Sequence, residues 1–178
     1  MYHSTYMSPL GMITIASDGD ALVGLWIEGQ RYHGGEEFIG LIKKDDARVI
    51  RKTKTWLDRY FAGKRPKISE LPLSPIGSEF RQAVWKILCE IPYGKTVTYG
   101  DIARRIAAET NKERISGQAV GNAVGRNPIS IIIPCHRVIG AGGNLTGYAG
   151  GIDKKIKLLE HEGADMSQFF IPLNGTAV

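Results

Sequence analysis

The sequence has 178 residues, 43% of them apolar, enough to close a core as one domain or as two small ones. Its longest apolar runs, such as 129–134, fall far short of the roughly 20 residues of a membrane span, and no basic-then-apolar leader opens it. The expectation is a cytoplasmic protein with no membrane partner. Two cysteines and four scattered histidines make neither a disulfide framework nor a zinc spacing, so reduced thiols, no metal and no cofactor are expected.

A net charge of +5 suits an anionic partner, but an ordinary basic protein looks the same. The placement of charge says more. Residues 1–42 hold one basic side chain, Arg31, against five acids, whereas 43–67 hold ten against Asp45, Asp46 and Asp58. From 78 to 138 nine basic residues face five acids. The run 43–67 also reads as a solvated helix face.

In chain order, 5–7, 12–16 and 21–27 alternate as strands, punctuated by Pro9, Gly11 and the Asp18, Gly19, Asp20 cluster, and predict an antiparallel meander. Residues 45–62 place Val49, Trp56, Leu57, Tyr60 and Phe61 at helical spacing, closed by Gly63 and Pro66. The stretch 64–77, with Pro66, Pro72 and Pro75, reads as a connector. It divides the chain into a small N-terminal α/β domain, 1–75, and a mostly helical domain, 76–178, giving an α+β protein.

Ser78 caps a predicted helix carrying Phe80, Val84, Ile87, Leu88 and Ile91, which Pro92 ends. Thr98 with Asp101 forms a capping box for a second helix through Ile102, Ala103, Ile106 and Ala107. Ser116 caps a third, Gly-Gln-Ala-Val-Gly-Asn-Ala-Val-Gly at 117–125, in which each interior glycine costs about 1 kcal/mol relative to alanine. Two short helices, the second so small-faced, fit a helix-turn-helix. Close packing on a neighbouring helix explains the small residues equally well.

After Asn127 and Pro128, the β-branched run 129–133 reads as a buried strand, leading into Pro134, Cys135, His136, Arg137, Val138. A cysteine there is either a small core residue or a nucleophile. The second reading needs a base to draw off the thiol proton, and His136 is the candidate. On an extended strand it would point away from Cys135, so it would act through a water or after a local turn. The imidazole needs a partner in turn. On a helix capped by Asp153 and ended by Gly163, Ile152, Ile156, Leu158 and Leu159 share a face, and Glu162 lies nearer its centre than Glu160. Glu162 is either the orienting carboxylate or a surface residue. Glycines at 140, 142, 143, 147, 150 and 151 around Tyr148 suggest a loop that a flat object or another backbone approaches closely. A phosphate loop is disfavoured by the lack of a Walker ending.

Pro-Cys-His-Arg-Val, together with Trp85, the Thr98, Tyr99 pair, Asn127, Pro128, Tyr148, Gly150, Gly151 and the stretch 158–163, closely resembles the O6-alkylguanine-DNA alkyltransferase family. The first domain resembles the family's ribonuclease-H-like α/β domain more faintly. The resemblance implies a once-only repair protein, a monomer acting on double-stranded DNA that contains O6-alkylguanine and also on O4-alkylthymine. Cys135 is then the alkyl acceptor, His136 its activator through a bound water, and Glu162 the residue that orients the imidazole. Asn127 orients the turn before the active site, Tyr99 donates to the flipped base or contacts a phosphate, and Lys155 is the cation near the thiol. Val138, Tyr148, Ala149 and Gly150 line the guanine pocket, and Thr98, Gln118, Ala119, Gly121 and Arg126 meet the DNA.

In one place the chain departs from the family. Gln118 stands where the family usually has the arginine that fills the space left by the extruded base, and it lacks that side chain's charge and stacking plane. Cys89 is read as a bystander, and Phe169 and Phe170 in the tail 165–178 as packing residues. Three rivals remain: a lesion-binding alkyltransferase-like protein, which would lack the cysteine; a thiol hydrolase, which would need an oxyanion hole; and a helix-turn-helix regulator, which leaves Cys135 and His136 unexplained.

Overall fold

The computed structural model describes residues 1–35 and 38–172, so Glu36, Glu37 and the last part of the tail lie outside the described residues. The chain forms two compact units, 1–76 with Pro128–Ile132, and Gly77–Asn127 with the described residues from Ile133 on.

In the first unit β1 (Tyr2–Ser8), β2 (Gly11–Ser17) and β3 (Leu22–Ile27) form the antiparallel meander, and β4 (Ile42–Lys43) adds a parallel edge beside β1, in the order β3-β2-β1-β4. β4 is too short for its sequence to show any alternation. Gly11, at φ +105°, closes the first hairpin where Ser8 pairs with it. The helix α1 (Arg48–Phe61) turns Val49, Ile50, Thr53, Trp56, Leu57 and Tyr60 inward, each large apolar side chain contributing about 1.5–3 kcal/mol by burial. It starts three residues later than its periodicity suggests. The Asp45 carboxylate instead accepts hydrogen bonds from Ser4 and Lys54.

All six residues of β3 are buried, because loop segments cover its outer edge. Leu22 bonds Pro72 and Ser74, and Leu25 bonds Pro128 and Ser130, at 2.8–2.9 Å. The expected strand 129–133 is therefore absent, leaving one bridge between Leu25 and Ile129. Ile131 takes φ +70°, a costly conformation for a β-branched residue. Tight turns at Ser130–Ile132 and Ile133–Cys135 replace the extended chain. The β-branched run reported burial, and the flanking prolines, each without an N–H, forbid a regular ladder.

The second unit holds α2 (Glu79–Cys89), β5 (Val97–Thr98), α3 (Tyr99–Glu109), α4 (Gly117–Gly125), β6 (Val138–Ile139) and α5 (Ile152–His161). The Ser78 and Ser116 hydroxyls accept from the N–H groups of Arg81 and Ala119, and Thr98 with Asp101 closes the capping box. β5 and β6 pair in parallel. Asp153 does not cap α5: Gly151, at φ +92°, is the N-cap and Asp153 lies in the first turn, where its charge favours the helix dipole. Phe169 packs with Ile139, Leu145 and Leu159. Phe170, by contrast, is exposed, and only its backbone is tied, to Gly143 and Leu145.

Near the end of α4 the Ala123 carbonyl accepts from the buried Trp85 indole N–H at 2.8 Å. The Asn127 amide, which a longer helix would offer, bonds Val124 instead. Trp85→Phe keeps most of the packing but strands that carbonyl, so unfolding followed by far-UV circular dichroism in urea should show about 1–3 kcal/mol of lost stability. A wild-type midpoint would mean the bond contributes nothing.

Candidate active site

Cys135, His136 and Arg137 occupy one 3-10 turn, all three buried. The side-chain amide of Asn127 holds this turn, donating to the Ile133 carbonyl at 2.8 Å and to Cys135 Sγ at 3.1 Å. Since the segment is a turn, the alternation of an extended strand does not separate the side chains of Cys135 and His136.

His136 Nε2 lies 2.7 Å from Glu162 Oε1, both side chains fully buried. Burial holds the imidazole below its ordinary pKa, the Glu162 contact opposes this, and the cations Arg137 and Lys155 reinforce it. A neutral ring beside an ionised carboxylate must carry its proton on Nε2. The remaining lone pair is on Nδ1, which is buried with no hydrogen-bond partner among the described residues.

Glu162 is buried whereas Glu160 is exposed. Burial alone would raise its pKa. The bonds and charges of His136 and Arg137 outweigh this and hold the carboxyl well below the usual range. Arg137 is the residue that sequence reasoning passed over. Its Nε and Nη2 donate to the two Glu162 oxygens at 2.8 and 2.9 Å, and its Nη1 to the Ile91 carbonyl at 2.5 Å. The Gly94 N–H adds a bond to Glu162 Oε2 at 3.1 Å, and a Cβ on Gly94, at φ +72°, would lie 2.6 Å from the Glu162 carbonyl oxygen. The one available signal was general: a buried carboxylate requires a cation, and Arg137 adjoins His136.

The sulfur is buried, with Cys135 only 3% exposed. Burial pushes its thiol above the ordinary pKa, while the Asn127 bond, the Lys155 charge and nearby backbone N–H groups pull the other way. The resting group is a thiol. Lys155 is itself buried, donating to the Val138 and Thr146 carbonyls at 2.5 and 2.8 Å. Burial lowers its pKa to about 8, against the attraction of Cys135.

Above this array, Tyr148 is buried with no hydrogen-bond partner for its hydroxyl among the described residues. Burial, then the charges of Cys135 and Glu162, raise that phenol, which stays a proton donor. Gly150 makes room for the ring, since a Cβ there would sit 2.7 Å from Tyr148. Ala149 is half-buried beside it. The Tyr99 hydroxyl faces the Thr146 and Gly147 carbonyls at 3.2 and 3.0 Å, so it braces the glycine-rich loop instead of standing free for a base or phosphate. The Thr98 hydroxyl is likewise committed to Asp101.

The remaining candidates lie on α4 and at its end. Gln118 and Ala119 are exposed on α4, Gly121 is half-buried against the Tyr99 ring, and Arg126 is exposed at the helix end. A Cβ on Gly117 or Gly125 would meet no described atom beyond its own turn within 4 Å. Packing inside the protein therefore does not require those glycines. Among the described residues, no helix is long and apolar enough to cross a membrane, and no three His, Cys, Asp or Glu side chains gather to hold a metal.

Residues 1–75 match the family profile described as 6-O-methylguanine DNA methyltransferase, ribonuclease-like domain, and residues 79–164 match its DNA binding domain. A methylated-DNA--protein-cysteine methyltransferase of Haemophilus influenzae is 41% identical over 162 residues, covering 91% of this chain and 86% of that one. The Methanosarcina acetivorans protein of the same name is 41% identical, over 92% of this chain and 99% of its own. The structure of Mycobacterium tuberculosis OGT in complex with DNA is similar at a TM-score of 0.80 and 40% identity, covering 95% of each chain. A Methanococcus jannaschii O6-methylguanine DNA methyltransferase is similar at 0.62 and 29%, covering 97% of this chain and 99% of that one. Matched in both of its parts, the chain belongs to the 6-O-methylguanine DNA methyltransferase family.

Proposed function

We propose that this protein repairs alkylated DNA by moving a methyl or other alkyl group from O6 of guanine, and from O4 of thymine, to the sulfur of Cys135. The reading keeps an N-terminal domain at 1–75 and a DNA-binding, alkyl-accepting domain at 76–178, working as a cytoplasmic monomer. One observation carries it: a cysteine held by Asn127 stands next in sequence to a neutral histidine whose far nitrogen is fixed by the Glu162–Arg137 pair.

In the step itself the thiol proton passes to Nδ1 of His136, by way of a water as the family resemblance implies. Sulfur attacks the alkyl carbon, the S–C bond forms as the C–O6 bond breaks, and O6 keeps the electron pair. The guanine takes up one proton to regain its normal form. A base inside a duplex is out of reach, so it must be extruded, at a cost of a few kcal/mol. The exposed, small-faced α4, with Gln118 near its start, is the element suited to approach a groove. The thioether is stable, so each molecule acts once.

Mixing the protein with a duplex bearing O6-methylguanine should add one methyl, mapped to Cys135 and stoichiometric. Tight binding with unchanged mass would point instead to a lesion-binding protein, and repeated turnover to a hydrolase. Glu162→Gln should slow single-turnover transfer about 10- to 100-fold, because the imidazole loses the partner that fixes its tautomer, and an unaltered rate would remove Glu162 from the mechanism. Gln118→Arg restores charge and a stacking plane, so it should speed transfer from duplex DNA several-fold and leave transfer from the free base unchanged. Equal rates on duplex would show that extrusion does not depend on this residue.

A further inference from the structure

A groove of about 720 Å³ lies beside α1 in the first unit, lined in part by Arg48, Arg51, Lys52, Arg59, Trp56 and Glu70. The four cations fall three, four and eleven residues apart, on one face of the helix, opposite the side that buries Leu57 and Tyr60. Like charges three and four residues apart, as in Arg48 with Arg51 and Lys52, destabilise a helix slightly, a repulsion that a bound polyanion would relieve. Among the described residues the nearby acids offset only Arg59, through Glu70. Asp45 is engaged by Ser4 and Lys54, Asp58 accepts from the Tyr6 hydroxyl, and Glu70 pairs with Arg59 while also accepting from the Lys67 N–H. Arg48, Arg51 and Lys52 are exposed and have no acidic partner among the described residues. α1 also lacks an acid in its first turn and a capping side chain, so its positive end adds to the same field.

We propose that this groove is a second DNA contact, a site on the N-terminal unit that holds the sugar-phosphate backbone without reading sequence or lesion. The inference rests on the protein being a DNA-binding one, and goes beyond the helix-turn-helix and the alkyl-acceptor site. From residue 48 to 59 the cations span about 16 Å of helix, more than one phosphate or one nucleotide would occupy and a fair match to a run of backbone phosphates. The floor favours backbone over bases. Trp56 is buried and its N–H is committed to the Lys67 carbonyl, so it offers no platform for stacking.

The test measures affinity for an undamaged duplex across a salt series, for the parent protein, for the triple variant Arg48→Gln, Arg51→Gln, Lys52→Gln, and for a charge-matched control, Lys43→Gln, Lys64→Gln, Lys157→Gln. Each phosphate contact contributes close to 0.9 to the slope of log affinity against log salt. The groove variant should therefore lose about two to three from the slope and at least tenfold in affinity at low salt, with the control close to the parent. Transfer from the free O6-methylguanine base, which carries no phosphate, should be equal in all three. A groove variant with the parent's slope, or a control that loses as much, overturns the proposal. A parent that takes the alkyl group from the free base yet binds no duplex would overturn the DNA-binding reading beneath it.

Discussion

The second unit is organised around a single buried negative charge. Leaving water costs an ionised carboxylate several kcal/mol unless close, well-aligned partners compensate, and Glu162 has them from three directions. Arg137 grips both oxygens, His136 lies against one, and the Gly94 N–H meets the other. These partners come from the active-site turn and from the loop after α2, while Glu162 closes α5. The electrostatic demand of one group thus draws three chain segments together. It also decides where the imidazole proton sits, because an ionised carboxylate accepts and does not donate. Structure and chemistry here share one cause.

The same buried surroundings set the electrostatics of the thiol. Burial disfavours the thiolate at Cys135 and the ammonium at Lys155 alike. Formed together, each charge offsets the other's lost hydration, so a thiolate at Cys135 is least costly beside a protonated Lys155. At rest the sulfur remains a thiol, shielded and slow to oxidise.

Much of this was legible in the sequence, where the signals were local. Ser78, Thr98 with Asp101, and Ser116 announce the starts of three helices, because a capping hydroxyl satisfies backbone donors within its own turn. The alternation in residues 4–28 announces the meander. The run 129–133 misled, since β-branched side chains report burial as readily as strand pairing, and the left-handed turn at Ile131 has no local signature. Asp153 misled in the same manner, as Gly151 two residues earlier takes the capping position through a φ that only glycine adopts easily. Arg137 was only faintly legible, for a different reason. Its role depends on Glu162, 25 residues away, and on the Ile91 carbonyl, 46 residues away, and only the fold brings those together.

The composition of α4 poses a final question of balance. Glycines at 117, 121 and 125 each weaken the helix by up to about 1 kcal/mol, yet it forms, helped by the Ser116 cap, the Trp85 bond to Ala123 and the inward packing of Val120, Ala123 and Val124. Those supports all act on its ends or its inner face. On the outer face, a methyl group at Gly117 or Gly125 would clash with nothing described, so alanine would strengthen the helix without disturbing the fold. Gly117, which is exposed, and Gly125, which is half-buried, are thus glycines that the protein's own packing does not require. Under the proposed function, the floor of a DNA groove is the broad, close-fitting surface that would approach this helix backbone.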